Sequence, residues 1–194
     1  MAAFVQSASC FCRRYSSGVT RRIVLTGPES TGKTTLASAL ARRFRSPWLP
    51  EMSRRYAEEV KRDLIAADAE LIAQRAIDAE DAALAPDPPL LLLDTDLIST
   101  VVYVRHYYGP CPAWIEDAAR ARRGELYLLC APDLPWSADG VRDRPAQRQE
   151  LFGLFEAALR EFGCVSADVS GTGAARERAA LSAATALVAA AGHL

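Results

Sequence analysis

Gly27-Pro28-Glu29-Ser30-Thr31-Gly32-Lys33-Thr34 is the stretch whose reading decides the fold. It fits G-x-x-x-x-G-K-[ST], the pattern of a phosphate-binding loop. The flanks agree with that reading. Arg22-Ile23-Val24-Leu25-Thr26 reads as a short buried strand, and Leu36, Ala37, Ala39, Leu40 and Phe44 recur at helical spacing. Gly27 and Gly32 leave room for backbone N–H groups to turn inward around phosphate oxygens. The helix beginning near Lys33 directs its positive end at the same anion. Lys33 is expected to reach the β- and γ-phosphates, and the Thr34 hydroxyl to ligate Mg²⁺. Glu29, Ser30, Thr31 and Thr35 complete the expected nucleotide-binding loop, with ATP and Mg²⁺ as cofactors.

Working outward, 194 residues suit one domain with a substantial core. Half the residues are hydrophobic and 24% are charged, the balance of an ordinary globular protein. The net charge of −1 gives no basic field for nucleic acid. Arginines alternate with acidic residues along the helices, as on a solvated surface. The odd count of five cysteines, without metal-binding spacing, argues against a disulfide framework or a zinc site. Cys130 and Cys164 read as core residues, and a reducing cytoplasm fits the cysteine usage. No apolar run is long enough to span a membrane.

Residues 1–21 lack acidic side chains and carry Arg13, Arg14 and Arg21. That composition fits an import signal or a flexible extension, and we read it as the extension, leaving one domain over 22–194. Trp48-Leu49-Pro50 reads as a second strand with Glu51 at its C-terminal end. A helical region follows from about Ser53 to Leu84, its apolar positions suiting a helix pair partly exposed to solvent, and Pro86-Asp87-Pro88-Pro89 breaks it. Leu90-Leu91-Leu92-Leu93-Asp94 reads as a strand buried on both faces, its terminal Asp placed to hold Mg²⁺. Thr95 stands where many ATPases carry a Glu that polarises water, which favours transfer to a bound acceptor over hydrolysis. Helices are expected over Leu97–Tyr108 and Trp114–Arg123. Strands are expected at Leu126–Cys130 and Cys164–Val169. Between them, Pro132 to Arg144 reads as a lid, followed by a helix from Pro145 and, at the end, an Ala-rich terminal helix. Five strands alternating with helices predict a P-loop NTPase fold, an α/β parallel sheet covered on both faces. Gly27, Glu51, Asp94 and the lid all fall at the C-terminal ends of strands, where such sheets bind ligands.

With these residues assembled, the chain resembles the P-loop kinase-like family that includes the ribosylnicotinamide kinase domain of the bacterial NAD regulator protein. The resemblance spans roughly residues 22–165. It rests on the loop at 27–34, on Glu51 with Arg54, on Asp94-Thr95-Asp96 followed by Ser99-Thr100, and on Trp136 with Asp139-Gly140-x-Arg142. It departs at Pro50, where that family carries an aromatic residue, and at Arg55, where Glu is common. The resemblance implies ATP-dependent phosphorylation of a ribosyl hydroxyl on a nucleoside-like acceptor such as nicotinamide riboside. Glu51 is then either the proton acceptor or a carboxylate favoured by a helix N-terminus. Asp94 would hold the metal, and Asp96 would hold ribose hydroxyls or share the metal. Arg54 joins Glu51 in the acceptor site. Arg142 and Arg144 would fold over ATP, Arg142 stabilising the transferring group, or else lie on a surface turn. Tyr107 or Trp114 would stack on a cationic ring or belong to the core. The partners expected are ATP and a small-molecule acceptor, without nucleic acid or membrane, and a homo-oligomer is compatible with the sequence. The competing reading is a nucleotide-dependent regulatory ATPase or switch acting with a protein partner.

Overall fold

Every position of Leu90–Asp94 is apolar up to the final carboxylate because both faces of that strand are covered. The computed structural model describes residues 20–136 and 147–190. Chain order is β1 (Arg21–Thr26), α1 (Lys33–Phe44), β2 (Trp48–Leu49), α2 (Met52–Val60), α3 (Asp68–Leu84), β3 (Leu90–Asp94), α4 (Leu97–Tyr107), α5 (Ala113–Ala121), β4 (Leu126–Cys130), α6 (Arg148–Glu161), β5 (Ser166–Val169) and α7 (Gly173–Ala190). The strands form one five-stranded sheet in the order β2-β3-β1-β4-β5. All four pairings are parallel, with Ile23 beside Leu92 on one side and Leu126 on the other.

The two-residue period of the strands sorts the core into two layers. Val24, Leu91, Leu93, Tyr127 and Leu129 face α3, α4, α5 and α6, where Ile98, Val101, Ile115, Leu151 and Phe155 close over them. Ile23, Leu25, Leu92 and Leu128 face the opposite way, against Leu36 and Leu40 of α1 and Ala180 and Ala184 of α7. Small alanines on α7 let that helix lie close to the sheet. Among the described residues, no helix is long and apolar enough to cross a membrane.

Several boundaries differ from the sequence expectation. The strand before the loop begins at Arg21, and Thr20 is already buried with its hydroxyl donating to Pro88 O at 2.6 Å. The helical region after Glu51 is the pair that its apolar spacing suits, with the break placed at Lys61, which closes α2 in a left-handed conformation (φ 51°). The last strand starts at Ser166, two residues later than expected, because the chain from Gly163 to Val165 is still leaving α6. The expected helix start at Pro145, and Asp139, Gly140, Arg142 and Arg144 of the expected lid, lie outside the described residues, as does most of the N-terminal extension.

Candidate active site

The phosphate loop turns at residues whose backbones are left-handed, Ser30 (φ 53°) and Gly32 (φ 76°). Gly27 permits the closest approach in the loop. A Cβ there would sit 2.7 Å from the carbonyl oxygen of Cys130, so the loop can cross the end of β4 only without a side chain. Lys33 is buried and donates to Gly27 O at 3.0 Å and Pro28 O at 2.6 Å, while the Thr31 hydroxyl donates to Pro28 O at 2.9 Å. Its ammonium is thus held over the loop, where phosphate oxygens would displace the carbonyls. Glu29 is also enclosed, with neither carboxylate oxygen hydrogen-bonded among the described residues. Thr35 faces solvent on the first turn of α1.

At the end of the neighbouring strand, Asp94 is 1% exposed. The Thr34 hydroxyl donates to its Oδ2 at 2.5 Å, and its Oδ1 is buried with no hydrogen-bond partner among the described residues. Burial raises the Asp94 pKa, and the negative charge of Glu51 raises it further. The Lys33 ammonium and the Thr34 hydroxyl pull it back down. An orphaned carboxylate oxygen beside a hydroxyl fits the small, oxygen-bound Mg²⁺, which takes few protein ligands and leaves the rest to water and phosphate. Glu51, Lys33 and Arg54 all lie near enough for their charges to act on Asp94.

Glu51 is the residue preceding α2, yet its carboxylate does not cap that helix. It is buried, accepts from the Ser53 hydroxyl at 2.6 Å and lies 4.0 Å from Arg54 Nε. Both contacts are made with the first turn of α2. Glu51 opens onto a cavity of ≈ 580 Å³. The cavity runs under the loop between α2 and α3 and along α4, walled by Leu64, Ile65, Ile72 and Leu97. Glu51, Asp63, Glu80 and Asp96 bring carboxylates to it, Tyr103, Tyr107 and Tyr108 bring rings, and no Lys or Arg is among its described lining residues. Glu80 is neutralised by Arg22 at 3.0 Å and Arg122 at 3.3 Å.

Asp96 departs from expectation. Its Oδ1 accepts from the N–H groups of Ile98 and Ser99, capping α4, and its Oδ2 accepts from the Tyr127 hydroxyl at 2.6 Å. Burial pushes its carboxyl up to about 6 against the opposing pull of Tyr127 and the two amides. Asp96 lines the cavity from a fixed position in the scaffold. Tyr107 lines it as well, its ring stacked 6.1 Å from that of Tyr103. Trp114 does not line the cavity; its indole N–H donates to Glu70 at 2.8 Å on the surface.

Sequence reading missed Tyr127, Asp68, Arg148 and Arg176. Asp68 accepts from Arg62, from the Tyr56 hydroxyl and from the Ile65 N–H, and so knots the loop that roofs the cavity. Arg148 and Arg176 are 7% and 3% exposed, contrary to the solvated role expected of the helix arginines. Their spacing alone offers no signal, because each meets residues more than a hundred positions away.

Comparison with known proteins sets this geometry in context. The AAA domain family matches residues 22–178. The trifunctional NAD biosynthesis/regulator protein NadR of Escherichia coli (strain K12) is 29% identical over 147 residues, which are 73% of this chain and 36% of that protein. Its counterpart in Salmonella typhimurium is 29% identical over 126 residues, 63% of this chain and 31% of that protein. The chain thus spans about a third of the length of these curated relatives. A crystal structure of NadR in complex with NR superposes with a TM-score of 0.73 at 23% identity, over 87% of this chain and 50% of that one. Thymidylate kinase from Ehrlichia chaffeensis superposes with a TM-score of 0.58 at 12% identity, over 88% of this chain and all of that one. These likenesses bear out the P-loop fold and the resemblance to the NAD regulator protein.

Proposed function

We propose that this chain, which belongs to the AAA domain family, is a kinase that moves the γ-phosphoryl group of Mg-ATP onto a ribosyl hydroxyl of a nucleoside-like acceptor, with nicotinamide riboside as the acceptor of choice. One observation carries the proposal. A phosphate loop that ends on Asp94 stands beside a separate acidic, aromatic cavity lined by Glu51, whose charge acts on Asp94. A nucleotide switch needs the loop alone; a second cavity opening onto a buried carboxylate suits an acceptor alcohol.

In the proposed reaction the acceptor hydroxyl gives its proton to Glu51 as its oxygen bonds the γ-phosphorus. The bond from that phosphorus to the bridging oxygen breaks, and ADP leaves with the electron pair. Lys33 turns from its carbonyl partners to the β- and γ-phosphates. Thr34 and Asp94 would hold Mg²⁺, which when bound neutralises charge on the phosphate oxygens. Arg142 and Arg144, outside the described residues, are assigned to the transferring group and the ATP phosphates respectively. Asp96 is assigned to the acceptor through the edge it presents to the cavity, and Arg54, which does not line the cavity, is assigned to it through its neighbour Glu51.

The cavity chemistry supports the choice of acceptor. A phosphate among Glu51, Asp63 and Asp96 would be repelled, which disfavours nucleoside monophosphates. A cationic ring is attracted both by these carboxylates and by the faces of tyrosine rings. NadR, the protein solved with NR, supports the same acceptor by likeness.

A panel of nucleosides with Mg-ATP tests the proposal. ADP release is expected to depend on acceptor and to be greatest with nicotinamide riboside. Release indifferent to every acceptor would instead favour a regulatory ATPase.

A further inference from the structure

The phosphate loop is held from outside as well as from within. Arg176 on α7 places one Nη2 donor 2.8 Å from Thr31 O and 2.9 Å from Ala131 O, and its Nη1 2.6 Å from Asp133 Oδ1 and 3.1 Å from Gly171 O. Arg148, at the start of α6, spans Ser30 O at 3.1 Å with Nη2 and Leu134 O at 3.0 Å with Nη1. Leu134 in turn packs its Cδ1 3.1 Å from the point where a Cβ of Gly32 would stand.

In a trans peptide the C=O and the following N–H point in opposite directions. A cation that fixes Ser30 O outward therefore fixes the Thr31 N–H inward, and one that fixes Thr31 O fixes the Gly32 N–H inward. These are amide donors in the heart of a G-x-x-x-x-G-K-T loop. Ser30 has a left-handed backbone, which a side-chain-bearing residue adopts only when its surroundings hold it there. A buried guanidinium on each carbonyl supplies that hold and polarises the peptide so that its N–H becomes a better donor to an anion.

We infer that Arg148 and Arg176 are positioning residues for the nucleotide phosphates, acting through the carbonyls of Ser30 and Thr31. The inference rests on the reading that the loop binds a nucleotide. Arg176 anchors the loop to β4 and to the turn before α7. Arg148 anchors it to the chain leaving β4, so two consecutive carbonyls of the nucleotide loop are held from different helices.

The test is the gain in affinity from AMP to ADP, measured by calorimetry on the whole chain. That gain isolates the phosphate that enters the loop. In the wild-type protein ADP should bind more tightly than AMP. Arg148→Met and Arg176→Met should each cut the ADP-to-AMP affinity ratio about tenfold, the scale of one charge-assisted hydrogen bond. AMP affinity should stay within about twofold. Arg148→Lys and Arg176→Lys should recover only part of the ratio, since one ammonium cannot span two separated carbonyls as a planar fork does. An unchanged ratio in the Met variants would overturn the inference, as would an equal loss of AMP and ADP binding, which marks a general structural role. Should Arg176→Met fail to fold, Arg148→Met decides alone. A wild-type protein that binds AMP and ADP equally would overturn the nucleotide-loop reading itself.

Discussion

Thr95 adopts a left-handed backbone (φ 69°), a conformation that β-branched residues avoid. Its N–H donates to Leu25 O at 2.9 Å, and the kink swings Asp96 under the start of α4. The strain thus sits between the residue assigned to the metal and the residue that presents an edge to the cavity. Thr95→Gly is expected to raise stability by roughly 1 kcal/mol, read as a higher melting temperature. The chemistry should be most sensitive one strand away. Glu51→Gln keeps the shape and the Ser53 contact but cannot take a proton, so kcat should fall about 10²- to 10⁴-fold while ADP affinity is retained. A turnover number equal to the wild type would remove Glu51 as base. At this scale the sequence made Lys33, Thr34 and Asp94 legible because each belongs to a short motif with one geometry. Asp96 was only half legible: a carboxylate two residues past a strand can cap a helix or face a ligand, its bonds from the Ile98 and Ser99 N–H groups show that it caps, and the Tyr127 hydroxyl that fixes its other oxygen lies thirty-one positions away.

The cavity roof is an element-level construction. Asp68 begins α3 and gathers Arg62 and the Ile65 N–H, so that Asp63, Leu64 and Ile65 are held across the cavity. The Tyr108 hydroxyl donates to Leu64 O at 2.6 Å and ties the same loop to the end of α4. Asp68→Asn should loosen the roof, raising the acceptor KM with little change in ADP affinity. It also alters the acid limb of stability. The Arg62 guanidinium, with the Ile65 amide and Tyr56 hydroxyl, holds the Asp68 carboxyl well below the usual carboxylate range. The unfolded chain therefore takes up this proton first. The contribution is complete above about pH 4 and fades as the pH falls toward the depressed folded value. Chemical denaturation between pH 3 and 7 should show a shallower acid loss in Asp68→Asn than in the wild type. The apolar spacing suited a pair of helices here, but the place of the break was not legible, because Lys61, which makes the turn, carries no turn signature in its residue type.

For the molecule as a whole, the apolar runs of the central strands were the most legible part of the chain, and the structure sorts their side chains into two core layers. Leu90–Leu93 and Leu126–Cys130 are unbroken runs that read as strands covered on both faces, and both are buried at every position. The long-range arginine contacts were not legible, since charge alone does not distinguish a buried clamp from a solvated face. Phe155 lies at the centre of the larger layer and meets Tyr103 edge-on at 5.5 Å. Phe155→Ala should cost about 3–5 kcal/mol, measured by denaturant titration, and should leave the preference for ADP over AMP intact in the folded fraction. The edge strand β2 carries a last consequence. It offers two residues before Pro50, which has no N–H to lend. A foreign strand has almost no rungs to climb on that side, so the sheet is guarded against fibre-like growth from its β2 margin, and copies of this chain that pair must do so by touching helices or the far strand instead.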